Sequence, residues 1–401
     1  MRTILFPVIM LTLRLMAGAD QWVSQTSGTI NNLYSVNFPH GDTGFVSGAG
    51  CTLLRTMNGG VNWIALNSGT TQSLYAVNNL DQFVDTAYVV GGNGTILKTT
   101  DRGATWTAQV SGTTQSLRFV VGGGSFAIAG GDSGTILMTL NGGATWSRAS
   151  TGTASALYSI GTGKPHFIVV GANGALSMDT AGVWSVLSMN SPPPLYGVRM
   201  GGTTAYAVGG SGTILKTINS GTSWSPVNSG VTQQLNAIFF ADSDKALSTL
   251  GFIAGAGGTI LKTTNTGDTW TPLVSGTTQN LNAIAYPQNT GSAGNVAYTV
   301  GNGGLILKDD INATPVLRSA KDRGELVGVS ASGKLWYHLP AASNVEALLF
   351  NTQGRLIWKA SETRQSAGYH EMRLPAEFVS GANVLEFRAD GIHKVVGLKE
   401  H

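Results

Sequence analysis

Seven tryptophans, Trp22, Trp63, Trp106, Trp146, Trp184, Trp224 and Trp270, follow one another at spacings of 41, 43, 40, 38, 40 and 46 residues. A second marker keeps step with them: CTLL at 51, GTIL at 94, 134, 212 and 258, and weaker forms, GALS at 174 and GLIL at 304. Such self-similarity means one supersecondary unit stacked on copies of itself, because a unit this small cannot bury its apolar face alone. The unit over 74–110 reads as four short strands: LYAVN (74–78), TAYVVG (86–91), GTILKT (94–99) and TWTAQV (105–110). Each is rich in β-branched and aromatic residues and bounded by Gly, Asn, Asp or Ser. No helical periodicity of useful length precedes residue 312.

Four strands in about 40–45 residues are the dimensions of a propeller blade. Seven tryptophans and seven strand markers predict an all-β, seven-bladed β-propeller. The last unit, LNAIAY (281–286), NVAYTVG (295–301) and GLILK (304–308), is followed by no tryptophan, while QWVSQTSGT (21–29) is an orphan fourth strand. Pairing of that N-terminal strand into the last blade is expected to seal the ring and remove its exposed edges.

Charge divides the chain. Residues 20–311 carry 11 Lys+Arg against 12 Asp+Glu, whereas residues from 312 onward carry 11 against 9 in a much shorter stretch. The shift predicts a propeller over 20–311, a linker over 312–324 and a second domain over 325–401. A large domain without a concentrated basic face is no nucleic-acid binder. Arg2, the apolar run ILFPVIMLTL and Ala17-Gly18-Ala19 read as a signal peptide over 1–19. No later stretch reaches the ~18 apolar residues of a membrane span. Cys51 is the single cysteine, so an internal disulfide is impossible.

The most acidic-looking motif, KTTDRGATW (98–106), raises the question of catalysis at Asp101. The same bend recurs as TMNGGVNW (56–63), TLNGGATW (139–146), TINSGTSW (217–224) and TTNTGDTW (263–270), with Asn58, Asn141, Asn219 and Asn265 in place of the aspartate. An amide is neither a general acid nor a nucleophile. Asp and Asn share a side-chain oxygen that accepts bonds from backbone N–H groups just ahead. These five residues are therefore expected to shape turns, with Gly60, Gly103, Gly143, Gly221 and Gly267 supplying positive φ. A sixth copy, fourth in chain order, SMDTAGVW (177–184), keeps Asp179 but shifts its Gly by one position, so its turn should differ.

These bends resemble the Asp-box (BNR) repeat of sialidases and other propellers, in which the motif is structural and lies away from the catalytic centre. The longer pattern in VVGGNGTILKTTDRGATW (89–106) and AVGGSGTILKTINSGTSW (207–224) resembles the photosystem II stability and assembly factor-like propellers, over about residues 21–310. That resemblance implies a non-enzymatic assembly or binding scaffold. A sialidase would need Tyr assisted by Glu, and the propeller holds no Glu, the first being Glu325. Asp-box xyloglucan hydrolases set two Asp in a cleft between two propellers, which one ring does not supply. Carboxylate pairs such as Asp242/Asp244 and Asp309/Asp310 keep a carbohydrate-active propeller, hydrolase or glycan binder, as the alternative. No metal or cofactor site is expected: His40 and His166 lack ligand neighbours, and GGNG, GDSG, GGSG and GAGG do not continue as phosphate loops.

Aligning the inner strands on their first Leu places Tyr34, Tyr75, Arg118, Tyr158, Tyr196, Asn236 and Asn282 at one equivalent position. Tyr and Arg are residue types enriched in binding hot spots. Two readings stand: a partner-binding ring of Tyr34, Tyr75, Tyr158, Tyr196 and Arg118, joined by Arg199, or side chains packed between blades. The expected partner is a protein or cell-surface component, with a glycan possible. The tail reads as strands KLWYHL (334–339), VEALLF (345–350), RLIWKA (355–360), YHEMRL (369–374), NVLEFRA (383–389) and HKVVGL (393–398), a small immunoglobulin-like β-sandwich. LLFNTQGRLIW and SGANVLEFRADGIHKVVGL resemble the C-terminal sorting domain of type IX secretion cargo, although HLPAA stands where that family opens with Asn-Pro. The resemblance implies a secreted or surface-bound protein.

Overall fold

The computed structural model describes residues 22–40, 42–78, 85–163, 166–178, 183–187, 193–240, 247–286, 296–310, 327–329, 334–339, 342–351, 355–366, 368–374, 383–389 and 392–398. The chain divides into two compact units, one over Ala19–Asn312 and one containing Ala313–His401. The leader over 1–19, the linker over 312–324, Asp179 and the Asp242/Asp244 pair lie outside the described residues. Among the described residues no helix is long and apolar enough to cross a membrane.

Within the first unit the described strands form seven four-stranded antiparallel sheets. Sheet two is typical: Leu74–Asn78, Ala87–Gly91, Ile96–Thr99 and Thr107–Gln109 run as a meander. The fourth strand is shorter than TWTAQV suggests. Trp106 sits in the turn before it, where its ring meets Phe45 of sheet one edge-on at 6.1 Å. In sheet seven the outermost strand is Trp22–Gln25, which pairs antiparallel with Ile306–Asp310 in the register Trp22↔Asp309 to Gln25↔Ile306. The first strands of successive sheets touch one another, and that of sheet one, Leu33–His40, also touches that of sheet seven, Leu281–Ala285.

The core lies between sheets rather than within one. Each of seven apolar clusters joins two sheets. One of them combines Leu33, Val36, Phe38, Val46 and Leu54 of sheet one with Ala285, Tyr298, Val300 and Ile306 of sheet seven. Second strands supply the deepest residues, all five buried in Ala87–Gly91, because they are covered on both faces. Polar latches reinforce the apolar contact. The cation at the third place of the third strand reaches the next sheet's outer turn: Arg55 Nη1 donates to Arg102 O (2.8 Å), Lys98 Nζ to Gly142 O (2.6 Å) and Lys216 Nζ to Asp268 Oδ1 (2.7 Å). Lys308 Nζ and the Tyr298 hydroxyl of sheet seven both donate to Gly59 O of sheet one, at 3.0 and 2.6 Å.

The second unit contains a three-stranded sheet (Val327–Val329, Lys334–Leu339, Gly368–Arg373) and a four-stranded one (Leu356–Gln365, Ser343–Phe350, Asn383–Ala389, Ile392–Leu398). Leu335, Tyr337, Leu339, Val345, Leu349, Met372 and Phe387 fill one core. Val327–Val329 was not foreseen from sequence, and Leu356–Gln365 runs five residues beyond RLIWKA. The polar SETRQ carries no apolar alternation, so only its pairing with Ser343–Glu346 extends that strand.

Candidate functional site

A meander of four antiparallel strands has two ends. The first strand starts, the second turns into the third, and the fourth finishes at one end; the other two turns lie at the opposite end. The five Asp-box bends belong to the latter end and hydrogen-bond to the turn beside them, as Arg102 N does to Asp85 O (3.2 Å) and Gly142 N to Ser125 O (2.8 Å).

At Asp101 the carboxylate serves the turn. Oδ1 accepts from the Thr99 hydroxyl (2.7 Å) and from Thr105 N (2.9 Å), while Oδ2 accepts from the Thr105 hydroxyl (2.6 Å). The bonds from Thr105 and Thr99 favour the charged form and pull its pKa down to about 2, far from the value a general acid needs near neutrality. The same frame recurs on amides: Thr145 N donates to Asn141 Oδ1, and Asn141 Nδ2 donates to the Thr145 hydroxyl, both at 2.9 Å. A hydroxyl four residues on can donate to Asp or accept from Asn, which explains their exchange between repeats. Sequence reasoning missed the hub, the buried threonine two residues earlier. Thr56, Thr99, Thr139, Thr217 and Thr263 each donate to the Asx oxygen and accept from the turn glycine's N–H at 2.8–3.0 Å. Its signal is the T closing each ILKT-like run. Of the carboxylates weighed for hydrolysis, Asp309 is fully buried opposite Trp22.

The strand-start end holds the other candidate residues, in a setting that the sequence did not reveal. In all seven first strands the register slips by one residue right after the leading Leu. Tyr34, Tyr75, Arg118, Tyr158, Tyr196, Asn236 and Asn282 are the extra residues of seven β-bulges, positions that lose their ladder partner and re-aim their side chains. They touch in succession. Tyr34 lies 5.6 Å from Tyr75, the Arg118 guanidinium lies 5.4 Å from the Tyr75 ring and 5.6 Å from Tyr158, and Tyr158 stacks on Tyr196 at 5.3 Å. The two amides continue the series by bonding the next sheet's backbone, Asn236 Nδ2 to Leu281 O and Asn282 Nδ2 to Leu33 O, both at 2.8 Å. All seven are half-buried.

Arg118 is held by Asp132, Nε to Oδ1 at 2.6 Å and Nη2 to Oδ2 at 3.2 Å. Burial works against its charge, yet the Asp132 carboxylate outweighs it and the pKa is raised. Asp132 was missed in sequence. The available hint was that GDSG is the one charged loop of its kind and falls in the unit whose ring residue is Arg. Arg199, three residues beyond Tyr196, lies over Phe239 at 4.6 Å, and the strand Leu157–Gly163 stands between its strand and that of Arg118.

Stacked four-stranded sheets with recurring Asp-box-like bends define the class of fold, an all-β chain of propeller type. Residues 15–175 match the family model described as Photosynthesis system II assembly factor YCF48. Among solved structures the chain is similar to YCF48 bound to D1 peptide, at 17% identity, covering 74% of this chain and 99% of that one with a TM-score of 0.60. It is similar to YCF48 from Cyanidioschyzon merolae at 19% identity, covering 72% and 98% with a TM-score of 0.58. It also resembles an ancestral GH74 enzyme at 13% identity and a TM-score of 0.58, covering 72% of this chain but 46% of that one. No curated protein matches the chain. At these identities the likeness is one of fold.

Proposed function

We propose that residues 20–311 form one closed seven-bladed propeller acting as an exported, non-catalytic binding or assembly scaffold for a protein partner. Closure is supported by the apolar cluster and hydrogen bonds joining sheets seven and one. The observation that carries the function is the arc of Tyr34, Tyr75, Arg118, Tyr158 and Tyr196 at the strand-start end, with Arg199 contributing further along its strand. Tyrosines fixed by their neighbours lose little entropy on binding, which suits them to a contact surface. YCF48 with its D1 peptide supports a polypeptide as partner, while the appended second unit favours a partner outside photosynthesis. The Tyr75→Ala/Tyr158→Ala double variant is expected to hold its native partner at least tenfold less tightly in pull-downs from the host, with the fold intact by circular dichroism. Undiminished retention, or glycoside turnover that depends on a propeller aspartate, would overturn the reading.

The leader over 1–19 and the module over 325–401 belong to the same proposal, as export signal and outer-membrane sorting module. Removing residues 325–401 is expected to strand the propeller inside the outer membrane. Unchanged release to the cell exterior, measured by fractionation, would defeat the sorting role.

A further inference from the structure

Charge is distributed unequally between the two ends of the sheets. The Asp-box end carries Asp42, Asp85, Asp101, Arg102 and Asp268 among its described residues. At the strand-start end, the described residues of the linkers between sheets and of the turns from second to third strand include one charged residue, Asp132. Its charge is met by Arg118 through two hydrogen bonds. The other described residues there are uncharged, as in SGTTQS (111–116) and SGTTQN (275–280), with Ile30, Val110 and Val274 exposed among them, and an exposed cation, Arg148, adjoins them at the end of the outermost strand of sheet three.

We propose that this end takes an uncharged, extended polypeptide segment, recognised by neutral hydrogen bonds and tyrosine edges, so that capture is insensitive to salt. The inference rests on the scaffold reading above and adds the chemistry of the occupant. A charged segment would shed its hydration against an arc of side chains whose one charge, Arg118, is already met by Asp132, a cost that nothing in the arc returns. A neutral segment meets hydroxyl and amide groups able to pair with its backbone, and contacts without net charge are not screened by ions.

The packing of the tyrosines favours a peptide over a sugar. Tyr75 is contacted by both Tyr34 and Arg118, and Tyr158 by both Arg118 and Tyr196. The two central rings of the arc, on which a pyranose would stack, are thus each engaged by two neighbours within the protein. The four tyrosine hydroxyls make no hydrogen bond among the described residues, and these are groups a peptide backbone can use.

The test is selection of a random twelve-residue display library on the immobilised full chain at 50 and 500 mM NaCl. Enriched peptides are expected to carry net charge near zero and to bind within twofold at the two salt concentrations. They are also expected to be lost on the Tyr75→Ala/Tyr158→Ala variant. Asp132→Asn, which frees the Arg118 charge, should add acidic peptides whose binding falls at least tenfold at high salt. Charged binders on the unmodified chain, lost with the tyrosines, would overturn the neutral occupant while leaving the scaffold reading standing. No enriched peptide at all, or neutral glycans retained on an array in their place, would overturn both.

Discussion

Trp22→Ala is expected to lower the thermal midpoint of the propeller by roughly 6–20 °C. Removing a buried tryptophan costs about 3–5 kcal/mol, and a domain of this size shifts by roughly 2–4 °C per kcal/mol. Trp22 is 8% exposed and meets Phe252 of sheet six edge-on at 6.2 Å, within a cluster that also holds Ile260, Leu281 and Leu307. Its place in the chain adds to the effect. The other outer strands follow their own sheet directly in sequence, whereas Trp22–Gln25 joins Ile306–Asp310 from the far end of the unit. A weakened Trp22 therefore frays a strand that no short connection ties to its own sheet, and bares the edge of Ile306–Asp310. Trp106→Ala, at a half-buried ring in a turn, should cost less. Calorimetry of the two variants separates the cases, and hydrogen exchange should report lost amide protection in Ile306–Asp310 for Trp22→Ala alone. An equal or smaller fall for Trp22→Ala than for Trp106→Ala would show that the N-terminal strand is a dispensable addition.

The repeat was legible because successive sheets spend the same residues on the same problem: a tryptophan between sheets, in five of them a glycine at the bend, and an apolar strand buried on both faces. What stayed hidden depends on neighbours that the period does not identify. LYSV and LYAV read as ordinary strand openings, and the slip of register after Leu33 or Leu74 leaves no mark on alternation in so short a run. A trace does exist in the partner residue. Leu117 faces Gly131, where a Cβ would collide with Ser116 O, so the Gly closing each second strand marks the crowding beside the bulge. The lysine of ILKT gave no sign of its role, since its acceptor lies in the next sheet, for Lys98 a backbone carbonyl 44 residues on and for Lys216 the Asp268 carboxylate. Arg118 was found as a candidate contact, but its pairing with Asp132 changes the chemistry offered at that end from cationic to neutral.

Gly103→Ala should destabilise the propeller by about 2–4 kcal/mol, far more than any exchange at the neighbouring acidic residue. Gly103 has φ 77°, where a Cβ is strained, and that Cβ would stand 2.6 Å from Cε1 of the fully buried Phe45 in sheet one. Strained backbone of this kind costs about 1 kcal/mol and overpacking about 1–3 more. The preceding residue, Arg102, is also left-handed at φ 59°, so the bend has no slack through which to shift. Thr99→Val should cost about 1–3 kcal/mol by leaving the Gly103 N–H buried without its acceptor. Asp101→Asn, in contrast, installs the residue that the four sister bends already use, with the Thr105 hydroxyl turning from donor to acceptor. Its signature lies in pH. The native Asp101 pKa is lowered to about 2, so its contribution is complete above the unfolded value near 4 and is lost as pH falls through 2. Unfolding curves of the native chain and Asp101→Asn should therefore run parallel above about pH 5 and converge or cross only in acid. If Gly103→Ala proved as mild as Asp101→Asn, the bend would not be clamped between sheets, and the scaffold would lose the contact that makes its repeats stack.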